Sequence, residues 1–133
     1  MDQVVAQYYR QLCRTGFNHT GEIENPDIFL DTVGEKIRIC SHVSHAYVHI
    51  YIKVHEGTID DIKYLCTCDP TANVVIEILC ILIKGKTVME AEALTEESFT
   101  QVLETNDDEF LKKSRGIIEL LHRGIDRYKL KTS

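Results

Sequence analysis

Residues 66–87, CTCDPTANVVIEILCILIKGKT, hold a helix whose start, body and stop can all be read. Asp69 can accept from the first free amides as an N-cap, and Pro70 suits the first helical position, where its missing N–H would have no intrahelical partner. The helix therefore starts at Pro70. Ala72, Val75, Ile76, Leu79 and Ile83 fall on an i, i+3, i+4 stripe, and Ile78, Ile81 and Leu82 widen it until little polar surface remains. A helix of that kind requires burial on most sides. Lys84 complements the negative end of the helix dipole, and Gly85 can adopt the left-handed conformation that stops it. Two thiols, Cys66 and Cys68, precede it.

The 133 residues are read as a single domain, large enough to bury a core without disulfides. Eight per cent aromatic residues and no Trp leave packing to Ile, Val and Leu. A formal charge of −6 argues against a nucleic-acid surface, because phosphate contacts need clustered Lys and Arg. A cationic partner or a small ligand fits better. No basic segment followed by an apolar run opens the chain, and the apolar run of the central helix is too short to span a bilayer, so the expected location is cytoplasmic. Five cysteines without a secretory signal make reduced thiols the expectation.

Toward the N-terminus, Val4, Val5, Tyr8 and Leu12 repeat at helical spacing from Met1 to about Phe17, and Gly16 is a reasonable stop. Residues 18–33 contain Gly21, Asn25-Pro26 and Asp31, and read as a surface loop. From Glu35 to Val54 the period becomes two. Val48, Ile50, Ile52 and Val54 point one way, while Tyr47, His49, Tyr51 and Lys53 point the other. A turn at residues 55–58 leads into a strand from Ile59 to Cys68, with Ile62, Tyr64, Cys66 and Cys68 on one side. A further strand at residues 36–41 would complete an antiparallel meander. Thr87-Val88-Met89-Glu90 has the form of a capping box for a short helix, and Thr95 can cap another packed through Phe99, Val102 and Leu103. Asp107, Asp108 and Glu109 open a long last helix with the stripe Phe110, Ser114, Ile117, Leu121, Ile125 and Tyr128. Strands followed by helices imply an α+β fold with the helices packed on one face of a three-stranded antiparallel meander.

Four segments carry a specific resemblance: GEIENPD at residues 21–27, IYIKVHEGTIDDIKY at 50–64, IKGKTVMEAEALTEE at 83–97 and IDRYK at 125–129. In these, and in the order of its elements, the chain resembles the NifU/IscU iron–sulfur cluster assembly scaffold family, which implies a SufE/NifU-like fold. The family builds its site from three cysteines and a histidine. The resemblance places those positions on Ser44, Asp69, Lys112 and Lys113, with Ala46 where the family has an Asp. No thiol remains at any of them. A lysine ammonium donates hydrogen bonds, offers no lone pair and repels a cation, whereas cluster iron is held by thiolates. Ser44 is a poor ligand when protonated. The Leu-Pro-Pro-Val-Lys segment by which some members are recognised by Hsp70-type chaperones is also missing.

Other residues near the expected site keep alternatives open. Cys66 and Cys68 share a side of a strand about 7 Å apart, which suits two core thiols, paired thiols or a shared metal. Cys40 lies four positions ahead of Ser44, and Cys40, His42, Cys68 and Asp69 contain the donor types of a mixed zinc or iron site. His45 and His49, about 13 Å apart along a strand, fit an exposed polar face. Cys13 and Cys80 sit on helical stripes and read as core residues. His19, His55 and His122 have no motif around them.

Three functions follow as expectations. The first is a scaffold-like protein, degenerate at the cluster site, acting as an interaction or regulatory module beside a cysteine desulfurase or other iron–sulfur assembly proteins, without a cofactor. The second is binding of an iron–sulfur cluster, iron or zinc through Cys40, Cys66, Cys68 and Asp69. The third, implied by resemblance to SufE-type proteins, is acceptance of persulfide sulfur on Cys68, favoured by a helix N-terminus and opposed by Asp69. No set of nucleophile, base and orienting group is legible, so the protein is not expected to be an enzyme.

Overall fold

The computed structural model describes residues 2–32, 47–67 and 69–132. In chain order these form α1 (Gln3–Thr15), β1 (Ile28–Asp31), β2 (Val48–His55), β3 (Thr58–Cys66), α2 (Pro70–Ile83), α3 (Val88–Glu92), α4 (Glu96–Val102) and α5 (Asp108–Thr132). The strands make one antiparallel sheet in the order β1-β2-β3.

Alternation decides which face of the sheet is covered. Ile28, Leu30, Val48, Ile50, Ile52, Ile62 and Tyr64 are buried beneath the helices. On the opposite face Phe29 stays 41% exposed and packs its ring, tilted, at 5.3 Å from His49 and 5.2 Å from Tyr51. A two-residue turn joins β2 to β3. Both turn residues, Glu56 at φ 50° and Gly57 at φ 77°, take the left-handed backbone required by the right-handed twist of a tight hairpin. A register shift at Lys53/Val54 then sets Val54 opposite Ile59, so that Ile59 and Ile62 are both buried although three positions separate them.

Residues 18–33 were expected to be a loop, yet Ile28–Asp31 is a strand. Four residues are too few to show a period, and the strand exists because Ile28 and Leu30 find partners in Ile52 and Ile50. The expected strand at residues 36–41 lies outside the described residues.

α2 matches its sequence reading at both ends. Asp69 Oδ1 accepts from the Ala72 amide at 2.8 Å, Pro70 opens the helix, and Gly85 at φ 85° follows its last turn. Ten of its residues are buried, among them Val75, Ile76, Ile78 and Leu79, by packing against α1, α4, α5 and β3. Ile81, at 49% exposure, marks the one edge that reaches solvent.

The capping box of α3 is formed, with Thr87 Oγ1 accepting from the Glu90 amide and Glu90 Oε1 from the Thr87 amide, each at 3.0 Å. Those backbone bonds hold the Glu90 carboxyl below the usual range. Removing the Thr87 Oγ1 cap in Thr87→Ala should cost about 1 kcal/mol of stability, read as a shift in urea midpoint at neutral pH. The part of the cap made by ionised Glu90 is present above the usual glutamate range and is lost as pH falls through its lowered value.

Candidate functional site

The start of α2 faces the start of α5. Lys113 is 5% exposed, and its ammonium lies 3.3 Å from Asp69 Oδ2 and 3.5 Å from Glu109 Oε2. Asp69 thus divides its carboxylate between two tasks: one oxygen caps α2 and the other meets a buried cation on another helix. Asp107 Oδ2 caps α5 by accepting from the Phe110 amide at 3.0 Å, which sets the first turn that carries Glu109 and leads to Lys113. Ser114 follows inside the helix interface, its hydroxyl donating back to the Phe110 carbonyl at 2.8 Å. Lys112, one residue earlier, is exposed.

Of the four positions that the sequence put at the site, the structure brings Asp69 and Lys113 together and leaves Lys112 in solvent; Ser44 lies outside the described residues, as do Cys40, His42, His45 and Cys68. Cys66, half-buried at the end of β3, is disulfide-bonded. This departs from the expectation of reduced thiols throughout, and a sulfur so bonded is no thiolate ligand until it is reduced. Cys80 is fully buried as expected, and burial followed by the charge of Glu77 pushes its thiol up, away from reactivity. Cys13, expected in the core, is exposed: α1 buries Val5 completely and turns the Cys13 edge outward.

The donor set can be tested against a thiolate-held cluster. Cluster iron asks for soft ligands with free lone pairs. Asp69 is a hard carboxylate already engaged twice, and Lys113 as an ammonium has no lone pair. Among the described residues no group of three or more His, Cys, Asp or Glu is placed to hold a metal ion. These residues do not fit the group.

Sequence reasoning missed a second polar cluster. Glu77, in the middle of apolar α2, is 2% exposed, and its Oε1 lies 3.0 Å from His19 Nδ1. Tyr64 faces it from β3 and donates its hydroxyl to Asn73 Oδ1 at 2.7 Å. Burial and the Glu77 carboxylate push the Tyr64 phenol far above its usual range, so it stays a protonated donor. Burial and the same charge also raise Tyr8 on α1. One signal was available: Glu77 is the lone charged residue between Pro70 and Ile83, and a charge on so apolar a helix demands a partner.

Among the described residues no helix is long and apolar enough to cross a membrane. No family model matches the sequence, and no curated protein matches it. Solved structures do. An iron–sulfur cluster assembly scaffold protein for the SUF system from Fervidobacterium islandicum superposes with a TM-score of 0.62 at 15% identity, covering 94% of this chain and 96% of its own. The N-terminal part of a NifU-like protein from Brucella abortus superposes with a TM-score of 0.62 at 12% identity, covering 98% of this chain and 94% of its own. The three-stranded antiparallel sheet, the helices on one of its faces and the near-complete overlap agree: this chain has the fold of the NifU/SufU-type iron–sulfur scaffold proteins.

Proposed function

We propose that the chain is a scaffold-like module of iron–sulfur assembly that has given up thiolate ligation and acts through protein contacts. The observation that carries this reading is the Asp69–Lys113 pair, an internal cation seated against the carboxylate at the mouth of the central helix. Two of the positions that the resemblance assigns to ligands are thereby tied to each other. A ferric or ferrous ion arriving there would have to displace an ammonium already neutralising Asp69, and would gain no soft donor in exchange.

The structural neighbours are a SUF-system scaffold and a NifU-like protein, which supports a partner among sulfur donors such as a cysteine desulfurase or among other assembly proteins. The net charge of −6 favours a basic docking surface on that partner. Catalysis by the chain itself has no place in this reading, and neither does a resident metal.

Anaerobic reconstitution with iron and sulfide tests it. The expected outcome is no absorption from thiolate-bound iron, together with substoichiometric metal by elemental analysis after desalting. One cluster or one tightly held iron or zinc per chain would overturn the proposal in favour of ligation by the cysteines, and loss of that metal in Cys68→Ser would name the ligand.

A further inference from the structure

The two edges of the sheet differ. Along β3 the chain supplies its own cover: the Tyr64 amide donates to the His19 carbonyl at 2.9 Å, the Gly21 amide to the Tyr64 carbonyl at 2.9 Å and the Ile59 amide to the Lys86 carbonyl at 2.8 Å. On β1 the bonds to β2 decide which groups face outward. The Thr32 amide donates to the Val48 carbonyl in the register that pairs Leu30 with Ile50 and Ile28 with Ile52. Ile28 and Leu30 therefore exchange bonds with β2, and Phe29 between them turns its N–H and C=O away from the sheet. Among the described residues neither group has a hydrogen-bond partner. An open strand edge is a template for another strand.

Beside this edge lies a cleft of about 290 Å³, with Ile28 and Phe29 on one side and Gly124, Arg127, Tyr128 and Lys131 of α5 on the other. Its rim is apolar, since Phe29 is 41% and Leu130 78% exposed. Its charge is positive. Asp27, the acid of the lining, is already engaged: its Oδ2 accepts from the Val54 amide at 2.7 Å and lies 3.6 Å from Lys53 Nζ. Lys131 is exposed and makes no ion pair among the described residues, and Arg127 stands one turn before it. Cations in a last helical turn complement the dipole, but these two also line a cleft, and on a chain of net charge −6 they reverse the sign locally.

We propose that the β1 edge and this cleft receive one extended segment of a partner protein, added antiparallel as a further strand, with apolar side chains turned onto α5 and a carboxylate reaching Arg127 and Lys131. An antiparallel strand lets a single residue take both outward bonds of Phe29, and the residues on either side of it then point to the face covered by α5. The strand's C-terminal end lies toward Asp27, so its acidic residue follows its apolar ones. α5 rests directly on β1, with Gly124 against Leu30 and Ile28. A second copy paired on this edge would seat its own α5 on a strand about 4.8 Å away, whereas helices pack about 8–10 Å apart. The occupant is therefore a strand that brings no helix with it. This surface shares no residue with the Asp69–Lys113 site.

NMR titration of the isotope-labelled full chain with a short blocked peptide, Thr-Ile-Thr-Val-Glu-Glu, tests this. Binding should saturate, move the Phe29 amide downfield and slow its exchange with solvent by about tenfold or more. The second Thr is set opposite Phe29, so methylating its backbone nitrogen should abolish binding, whereas the nitrogen of the following Val points away from β1 and its methylation should be tolerated. Lys-Lys in place of Glu-Glu, or Lys131→Glu in the chain, should each weaken binding about tenfold, and the two changes together should recover part of the loss. A Phe29 amide unmoved at about millimolar peptide would overturn the proposal, and so would equal binding of the Glu and Lys peptides. A free chain already dimeric, with its Phe29 amide protected, would also overturn it and name a second copy as the occupant.

Discussion

Asp69→Ala is expected to destabilise the protein by about 2–4 kcal/mol, read as a fall in the urea midpoint with an unchanged slope. Two losses combine. The cap to the Ala72 amide goes, worth about 1 kcal/mol, and the Lys113 ammonium loses its nearer counter-charge while 95% of its surface stays out of water. Glu109 remains as a partner, but its side chain is 63% exposed and is screened accordingly, which holds the total below that of a fully orphaned buried charge. Asp69→Asn separates the two contributions, since the amide oxygen can still cap α2 and only the charge pairing is lost. Lys113→Met in the Asp69→Ala background should recover much of the loss, because an apolar side chain of similar length asks for no counter-ion. If Asp69→Ala and Lys113→Met proved additive in a double-mutant cycle, the pair would not be energetically coupled and the picture of an internal cation at the mouth of α2 would fall.

Gly124→Ala is the second large effect, with an expected loss of about 1–3 kcal/mol. On an exposed helix this substitution would stabilise by nearly 1 kcal/mol through propensity. Here a methyl group at residue 124 would sit 2.1 Å from Leu30 Cδ2 and 3.2 Å from Ile28 Cγ2, both on β1. Leu30 is fully buried, so it has no open space into which to turn. Gly124 is thus the point at which α5 lies down on the sheet, and its lack of a side chain sets the distance between the two layers. Leu30→Ala alone leaves a cavity and should cost about 2–5 kcal/mol. Combined with Gly124→Ala it should cost clearly less than the sum, because the added methyl enters the space vacated. Thermal unfolding of the four proteins measures the coupling, and simple additivity would refute the close contact.

Much of the fold was readable because local chemistry repeats itself. The caps at Asp69, Thr87 and the acidic start of α5, the period-two run of β2, and the Glu56-Gly57 turn each rest on a few neighbouring residues, so each was visible in one dimension. Strand β1 was not. Its four residues carry too little pattern, and its pairing depends on Ile50 and Ile52, some twenty positions away. Cys13 went the other way: a position on an apolar stripe says which face of α1 it shares, but the neighbours' bulk decides how far that face is covered.

The candidate site divides along the same line. The order of elements, the helix ends and the lack of thiols at positions 69, 112 and 113 could all be read along the chain. Tertiary structure alone decided which lysine turns inward, because Lys112 and Lys113 are adjacent and equal in chemistry, and only the position of α2 across from α5 gives one of them a carboxylate. It likewise decided that Glu77 meets His19, residues 58 positions apart. Charges separated along the chain find each other through packing, and packing is a property of surfaces that no single segment contains.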